Sequence, residues 1–250
     1  KDRDFSWEGK TWMLRCARLG LLSAIALCWL ALAPAALALS TMYVGVQPVQ
    51  VCNDGGASCA NDSRELFRDE MDKIWAQADM SIQFLPWLTV DDSDLLNDVV
   101  FWDLSPNADE EIINLWFVDT LYWPYAGTLY GQASSAQGYA AVTTSVFSYN
   151  SGNGRRDTMA HEIGHVLGLG HSTYGAGASS NVMTAGSSRS VPDGVGNITP
   201  DGSALSELTA LQVTRVRSSD WALTVNPVPE PGTAILVAFG LLMVGVRRKP

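Results

Sequence analysis

Apolar positions along the chain recur with two periods, and the order of those periods predicts the layout. Thr41–Val51 alternates, with Met42, Val44 and Val46 on one side, and predicts a strand. Pro48 within it predicts an edge or a bend, because proline has no N–H to give to a ladder. From Ser63 to Asp79 the period changes. Phe67, Met71, Ile74, Trp75 and Ala78 recur at three- and four-residue spacing, with charged residues between them, and predict an amphipathic helix. Met80–Trp87 alternates again, as a second strand. Residues 89–110 are irregular and acidic and read as a loop. Glu111–Thr120 is an apolar run of strand length, which suits a central buried strand. Residues 121–137, rich in Gly, Tyr, Trp, Ser and Ala, read as a long loop. Gly138–Val146 has the small and β-branched residues of an exposed-edge strand, Ser148–Gly154 is turn material, and Arg155–Leu167 is a second helix. Thr209 and Gln212 form a capping box for a last helix to Ser218, which would turn Leu211, Val213 and Val216 towards the core. Strand, helix, strand, strand, strand, helix predicts an α+β domain with a mixed sheet. No repeat or linker divides residues 39–225.

The two ends pattern differently. Arg15 and Arg18 precede an apolar stretch, Leu19–Leu32, and Pro34–Ala38 ends in small residues suited to cleavage after Ala38. Residues 1–38 are therefore expected to be a signal peptide, with residues 1–12 an overcalled start. An uncleaved anchor is the alternative. At the other end, Pro229-Glu230-Pro231 leads into the apolar Thr233–Val246 and then Arg247-Arg248-Lys249. That stretch is short for a stable membrane span, and its basic end would stay cytoplasmic. Residues 227–250 resemble the PEP-CTERM sorting signal of Gram-negative bacteria. The resemblance implies processing by an exosortase-type enzyme and an exported protein, at the cell surface, in the outer membrane or outside the cell. A plain transmembrane anchor is the other reading of the same segment.

Charge and cysteine usage agree with export. Between residues 39 and 228 there are eight Lys and Arg against 22 Asp and Glu, a formal charge of −14, while the whole chain carries −10. Such a surface argues against nucleic acid and anionic membrane as partners, leaving membrane contact to the sorting segments. Cys52 and Cys59 flank a glycine-rich turn and most simply form a disulfide; a cysteine latch on a metal is the alternative. Asp91, Asp92, Asp94 and Asp98 cluster, so a Ca²⁺ site is conceivable, but the run lacks an EF-hand pattern and reads better as a solvated loop.

The chemistry concentrates in residues 161–171, HEIGHVLGLGH, which hold all three histidines of the chain. On a helix, His161 and His165 lie one turn apart on one face and can share a Zn²⁺. Glu162 between them can act as general base on a water activated by the metal. Gly168 is placed to end the helix in a left-handed conformation, so that His171 can return as a third ligand. A lone histidine is usually structural; three at this spacing, with none elsewhere, are not.

This stretch fits the H-E-x-x-H-x-x-G-x-x-H signature of metzincin metalloproteases at every fixed position, and Asn181-Val182-Met183-Thr184 resembles their Met-turn. Residues 39–226 are thus similar to a metzincin catalytic domain, with a matrixin-like look. The resemblance implies a twisted mixed sheet with an edge strand for substrate, an active-site helix, and a small C-terminal subdomain with Met-turn and terminal helix. It implies a zinc-dependent endopeptidase acting on protein or peptide substrates. His161, His165 and His171 would be the ligands, Glu162 the base and Met183 the floor. Gly138, Tyr139, Ala140, Ala141 and Val142 would form the substrate-pairing edge. Ala185 stands where some metzincins have a tyrosine, and no Cys-switch motif precedes the domain. The rival is a non-catalytic exported surface or matrix protein with structural zinc.

Overall fold

The computed structural model describes residues 42–104, 112–122, 124–125 and 128–224. The proposed signal peptide (1–38), the sorting segment (227–250) and the apolar Thr233–Val246 lie outside them. No helix among the described residues is long and apolar enough to cross a membrane.

Strand β1 (Met42–Cys52) is the axis of a sheet of seven strands, and every residue in it but Tyr43 is buried. Both of its faces are covered, as is usual in a largely parallel sheet. On one flank it pairs in parallel first with β2 (Met80–Phe84) and then with β3 (Leu88–Asp91). On the other flank lies β4 (Ile112–Val118), also parallel. The short β7 (Leu223–Thr224) runs antiparallel to its first two residues. Pro48 therefore marks neither an edge nor a bend that ends the strand. On the β2 flank it falls, with Gln47, between the last β2 pair (Val46 with Phe84) and the first β3 pair (Val49 with Leu88), where no ladder bond is required. Strand β3 overlaps the start of the stretch, residues 89–110, expected to be an acidic loop. It is short and largely exposed, so it carries little apolar periodicity.

The strand order β2-β1-β4-β6-β5 corrects the expected edge. Gly138 precedes β6 (Tyr139–Thr143), which is interior: it is parallel to β4, antiparallel to β5 (Gly131–Ser134), and fully buried. The outermost strand is β5, in the stretch expected to be a loop. Ala140 and Ala141 point to opposite faces of β6 and are both fully buried, so neither faces water.

Helix α1 (Arg68–Ala76) starts later than its apolar period suggests. Arg64 and Phe67 are left-handed, with φ of 54° and 44°, and the Glu65 carboxylate accepts from the amides of Leu66 and Phe67 at 2.8 and 2.6 Å. Met71, Ile74 and Trp75 are buried as expected. Helix α2 (Ser145–Gly152) is broken at Tyr149–Ser151, within the expected turn. Helix α3 (Thr158–Val166) carries the first two histidines. Helix α4 (Ala210–Arg217) opens with the Thr209–Gln212 capping box. Its Val216 is buried, but Leu211 is 62% exposed and does not face the core. Cys52 and Cys59 are joined in a disulfide at the end of β1.

Candidate metal centre

Helix α3 lies across β5 and β6 and buries eight of its nine residues. His161 and His165 stand one turn apart on it. Leu167 ends the helix, and Gly168 follows with φ 91°, a left-handed conformation that an L side chain rarely adopts. The chain then reverses, and His171 comes back to the other two. The three Nε2 atoms are 3.0, 3.1 and 3.0 Å apart. His161 is buried, His165 half-buried and His171 exposed, so the cluster opens to solvent on one side.

The carbonyl partners of the rings favour the metal-binding tautomer, against one donor, Arg189 Nη1, that also meets His161 Nδ1. His161 Nδ1 donates to the Val182 carbonyl at 2.6 Å, and His165 Nδ1 donates to the Leu169 carbonyl at 2.8 Å. A carbonyl can only accept, so the neutral rings turn Nε2 lone pairs towards the common centre. Lone pairs facing one another at 3.0–3.1 Å repel unless a cation lies among them. Three nitrogen donors suit Zn²⁺, whose Zn–N bonds are about 2.0–2.1 Å. Burial, and next the Arg189 charge, hold His161 well below the ordinary histidine range; burial also lowers His165 and His171. Unprotonated imidazole is the form that binds metal. Among the described residues these three histidines are the only group of three or more such side chains placed to hold an ion. Asp91, Asp92, Asp94 and Asp98 form no such group. Instead Asp92 accepts from the amides of Asp94 and Leu95, and Asp98 pairs with Thr120.

Glu162 lines the same cavity as the three histidines, a space of about 690 Å³. Burial raises its carboxyl to about 8, with Arg189 and Arg155 pulling back. Gly131, the first residue of β5, passes directly over it. A Cβ there would lie 2.7 Å from Glu162 Oε1, so only glycine lets the edge strand come this close.

The floor is built by residues 181–189. Met183 is fully buried against α3; a Cβ on Gly164 would meet its Sδ at 2.5 Å. Asn181 holds the turn: its Oδ1 accepts from the Met183 amide at 3.0 Å, and its side chain exchanges bonds of 2.8 and 3.0 Å with Gln212. Gln212 also closes the capping box of α4 through the Thr209 amide at 2.8 Å. Ala185 offers no side-chain donor at the position following the turn.

Four residues of the site escaped the sequence reading: Gly131, Arg155, Asp157 and Arg189. Asp157 and Arg189 are a buried ion pair. Arg189 Nη2 donates to Asp157 Oδ1 at 3.2 Å, and its Nε lies 3.0 Å from Oδ2 without hydrogen-bond alignment. Arg189 Nη1 also bonds the carbonyls of Val182 and Thr184 at 3.0 and 3.2 Å and touches His161 Nδ1. Asp157 precedes α3 directly, so this pair ties the start of the metal-binding helix to the turn beneath it. A charge in the N-cap place, followed by a lone arginine in a small-residue loop, was the only signal of it.

No protein-family model matches the chain, and no curated protein matches it significantly. Among solved structures it is similar to a zinc-dependent peptidase from Methanocorpusculum labreanum, at 14% identity and a TM-score of 0.41 over 69% of this chain and 100% of that one. It is also similar to the archaemetzincin of Methanopyrus kandleri, at 14% identity and a TM-score of 0.42 over 70% of this chain and 94% of that one. The archaemetzincin of Archaeoglobus fulgidus, solved with malonate, gives 14% identity and a TM-score of 0.36 over 68% of this chain and 99% of that one.

Proposed function

We propose that this chain is a zinc-dependent endopeptidase. The observation that carries the reading is the buried Glu162 carboxylate in the same cavity as three converging Nε2 atoms. A site that only held zinc would have no use for a carboxylate kept off the ligand set in that cavity. His161, His165 and His171 would hold the ion. When bound, zinc would act as a Lewis acid that activates water and polarises a carbonyl.

The remaining steps belong to the protein. With the positive charge of a bound ion beside it, Glu162 would be ionised; it then takes a proton from the attacking water and returns it to the leaving amine. Its position beneath Gly131 keeps it facing the cavity. Strand β5 (Gly131–Ser134) has no strand partner on its outer side among the described residues, and its main chain would pair there with an extended peptide. This role passes to β5 from residues 138–142. Residues 181–189 keep the His161 ring fixed through the Val182 carbonyl.

Export belongs to the same proposal. The Cys52–Cys59 disulfide suits an oxidising compartment. Residues 1–38 would direct the chain across the inner membrane. Residues 227–250 would serve as a PEP-CTERM-type signal for an exosortase-type enzyme in a Gram-negative cell. The matrixin-like likeness is supported by the eleven-residue motif and Met183 alone.

The test is metal content together with hydrolysis. Purified chain should bind one zinc, cleave casein, lose cleavage on chelation and regain it with zinc. His161→Ala should lose both zinc and cleavage. Zinc binding without cleavage of any unfolded protein would favour the non-catalytic exported protein.

A further inference from the structure

The cavity that holds Glu162 is also lined by Tyr130, Arg155, Gly186 and Ser187. Arg155 is the notable group there. Its side chain is buried, with the residue 4% exposed. Its Nη2 donates to the Gly186 carbonyl at 3.0 Å, and its guanidinium lies 4.7 Å over the Tyr130 ring and 5.5 Å from that of Tyr149. It makes no ion pair among the described residues. Of the acids that bear on it, Asp157 is already engaged by Arg189 and Ser206, and Glu162 shares the cavity without an ion pair to it.

A buried guanidinium without a carboxylate is an expensive arrangement. Here it adjoins a second cation, Arg189, and both line a cavity that opens at the metal site. Burial, then the Arg189 charge, depress the Arg155 pKa, and Asp157, itself paired with Arg189, opposes them. The aromatic rings and the Gly186 carbonyl hold the fork in place but supply no anion.

We propose that Arg155 is a specificity-determining residue: it binds an acidic side chain, Asp or Glu, of the substrate residue next to the scissile bond. The proposal rests on the peptidase reading and names the substrate class for that site. The planar fork suits a carboxylate, which can accept two parallel N–H bonds. A charge-assisted bond of this kind adds roughly tenfold or more in affinity or kcat/KM over a neutral isostere.

Two measurements separate this inference from the peptidase reading. In the first, the zinc-loaded full chain is given a peptide library, and the best substrate is remade with Gln for Glu, or Asn for Asp, beside the cleaved bond. The expected result is enrichment of acids at that position and roughly a tenfold or larger fall in kcat/KM for the amide isostere. Arg155→Met should abolish the difference and Arg155→Lys should keep part of it. In the second, the metal-free chain is titrated with N-acetyl-glutamate α-amide and N-acetyl-glutamine α-amide and followed by NMR. The glutamate compound should bind more tightly, with shifts at Tyr130 and Gly186. Neither the wild-type comparison nor this titration depends on an Arg155 variant folding. Acid-selective binding without hydrolysis would sink the peptidase reading and leave the acid pocket standing. Hydrolysis with equal rates on acid and amide, or equal binding of the two amides, would overturn the pocket.

Discussion

Two regions meet at the three histidines, and they are built differently. Strands β4 and β6 and helix α3 approach with mainly apolar side chains: Ile113, Leu115, Phe117, Val142, Met159 and Ile163 are all fully buried. Residues 181–189 bring polar side chains alongside the buried apolar Val182 and Met183. Asn181 is bonded to Gln212, Arg189 to Asp157, and Thr184 Oγ1 to the Ala178 carbonyl at 2.6 Å. Apolar burial is strong but non-directional. Hydrogen bonds contribute less net stability but fix angles. The first region should therefore decide whether the chain folds, and the second how well His161 is aimed.

The sharpest way to break this division is a cavity in the apolar region. Phe117→Ala should cost about 3–5 kcal/mol, measured by denaturant unfolding. Metal-free and zinc-loaded protein should lose the same amount. Next comes the polar region. Asn181→Ala removes the Met183 amide bond and both Gln212 bonds, and should cost about 1–3 kcal/mol. Unlike Phe117→Ala, it should also weaken zinc by roughly ten- to a hundredfold in a chelator competition. Equal zinc affinity in the two variants would dissolve the distinction.

Proton linkage gives a smaller effect with a definite sign. The three histidines are depressed below 6.5, so the folded, metal-free chain binds fewer protons than the unfolded chain as pH falls below that value. Stability should drop on that side. Glu162 is raised from 4.5 to about 8, so between those values the folded chain keeps a proton that the unfolded chain has lost. Stability should drop there as pH rises. The metal-free chain should accordingly be most stable near pH 6.5–7 by thermal unfolding. Glu162→Gln should remove the decline on the alkaline side. The smallest expected effect is Leu211→Ala, at 62% exposure. It should change stability by less than about 0.5 kcal/mol.

What could be read in the sequence divides along a similar line. The site motif is local: a one-turn spacing, a glycine stop and a third histidine are all set within eleven residues, and the structure brings them together. The capping box at Thr209 and Gln212 is local too. Strand order is not. Whether Gly138–Val142 is an edge depends on residues 131–134 pairing outside it, and that four-residue strand is too short and polar to announce itself. Small residues at Ala140 and Ala141 suit an exposed strand and a helix-covered one equally well. Pro48 shows the same limit, since its tolerance depends on a gap between β2 and β3. The buried charges Arg155, Asp157 and Arg189 looked like ordinary surface residues because burial of a charge has no periodic signature. What distinguishes them is tertiary contact, such as Arg155 with Gly186 and Asp157 with Arg189, each more than 30 residues apart in sequence.

The central claim is that Glu162 is the base of a zinc peptidase. Its most direct test is the zinc content and casein hydrolysis of Glu162→Gln beside wild type. The account predicts one bound zinc in both and a loss of hydrolysis in the variant of at least about a hundredfold. Equal hydrolysis by the two proteins, with zinc bound in each, would contradict it.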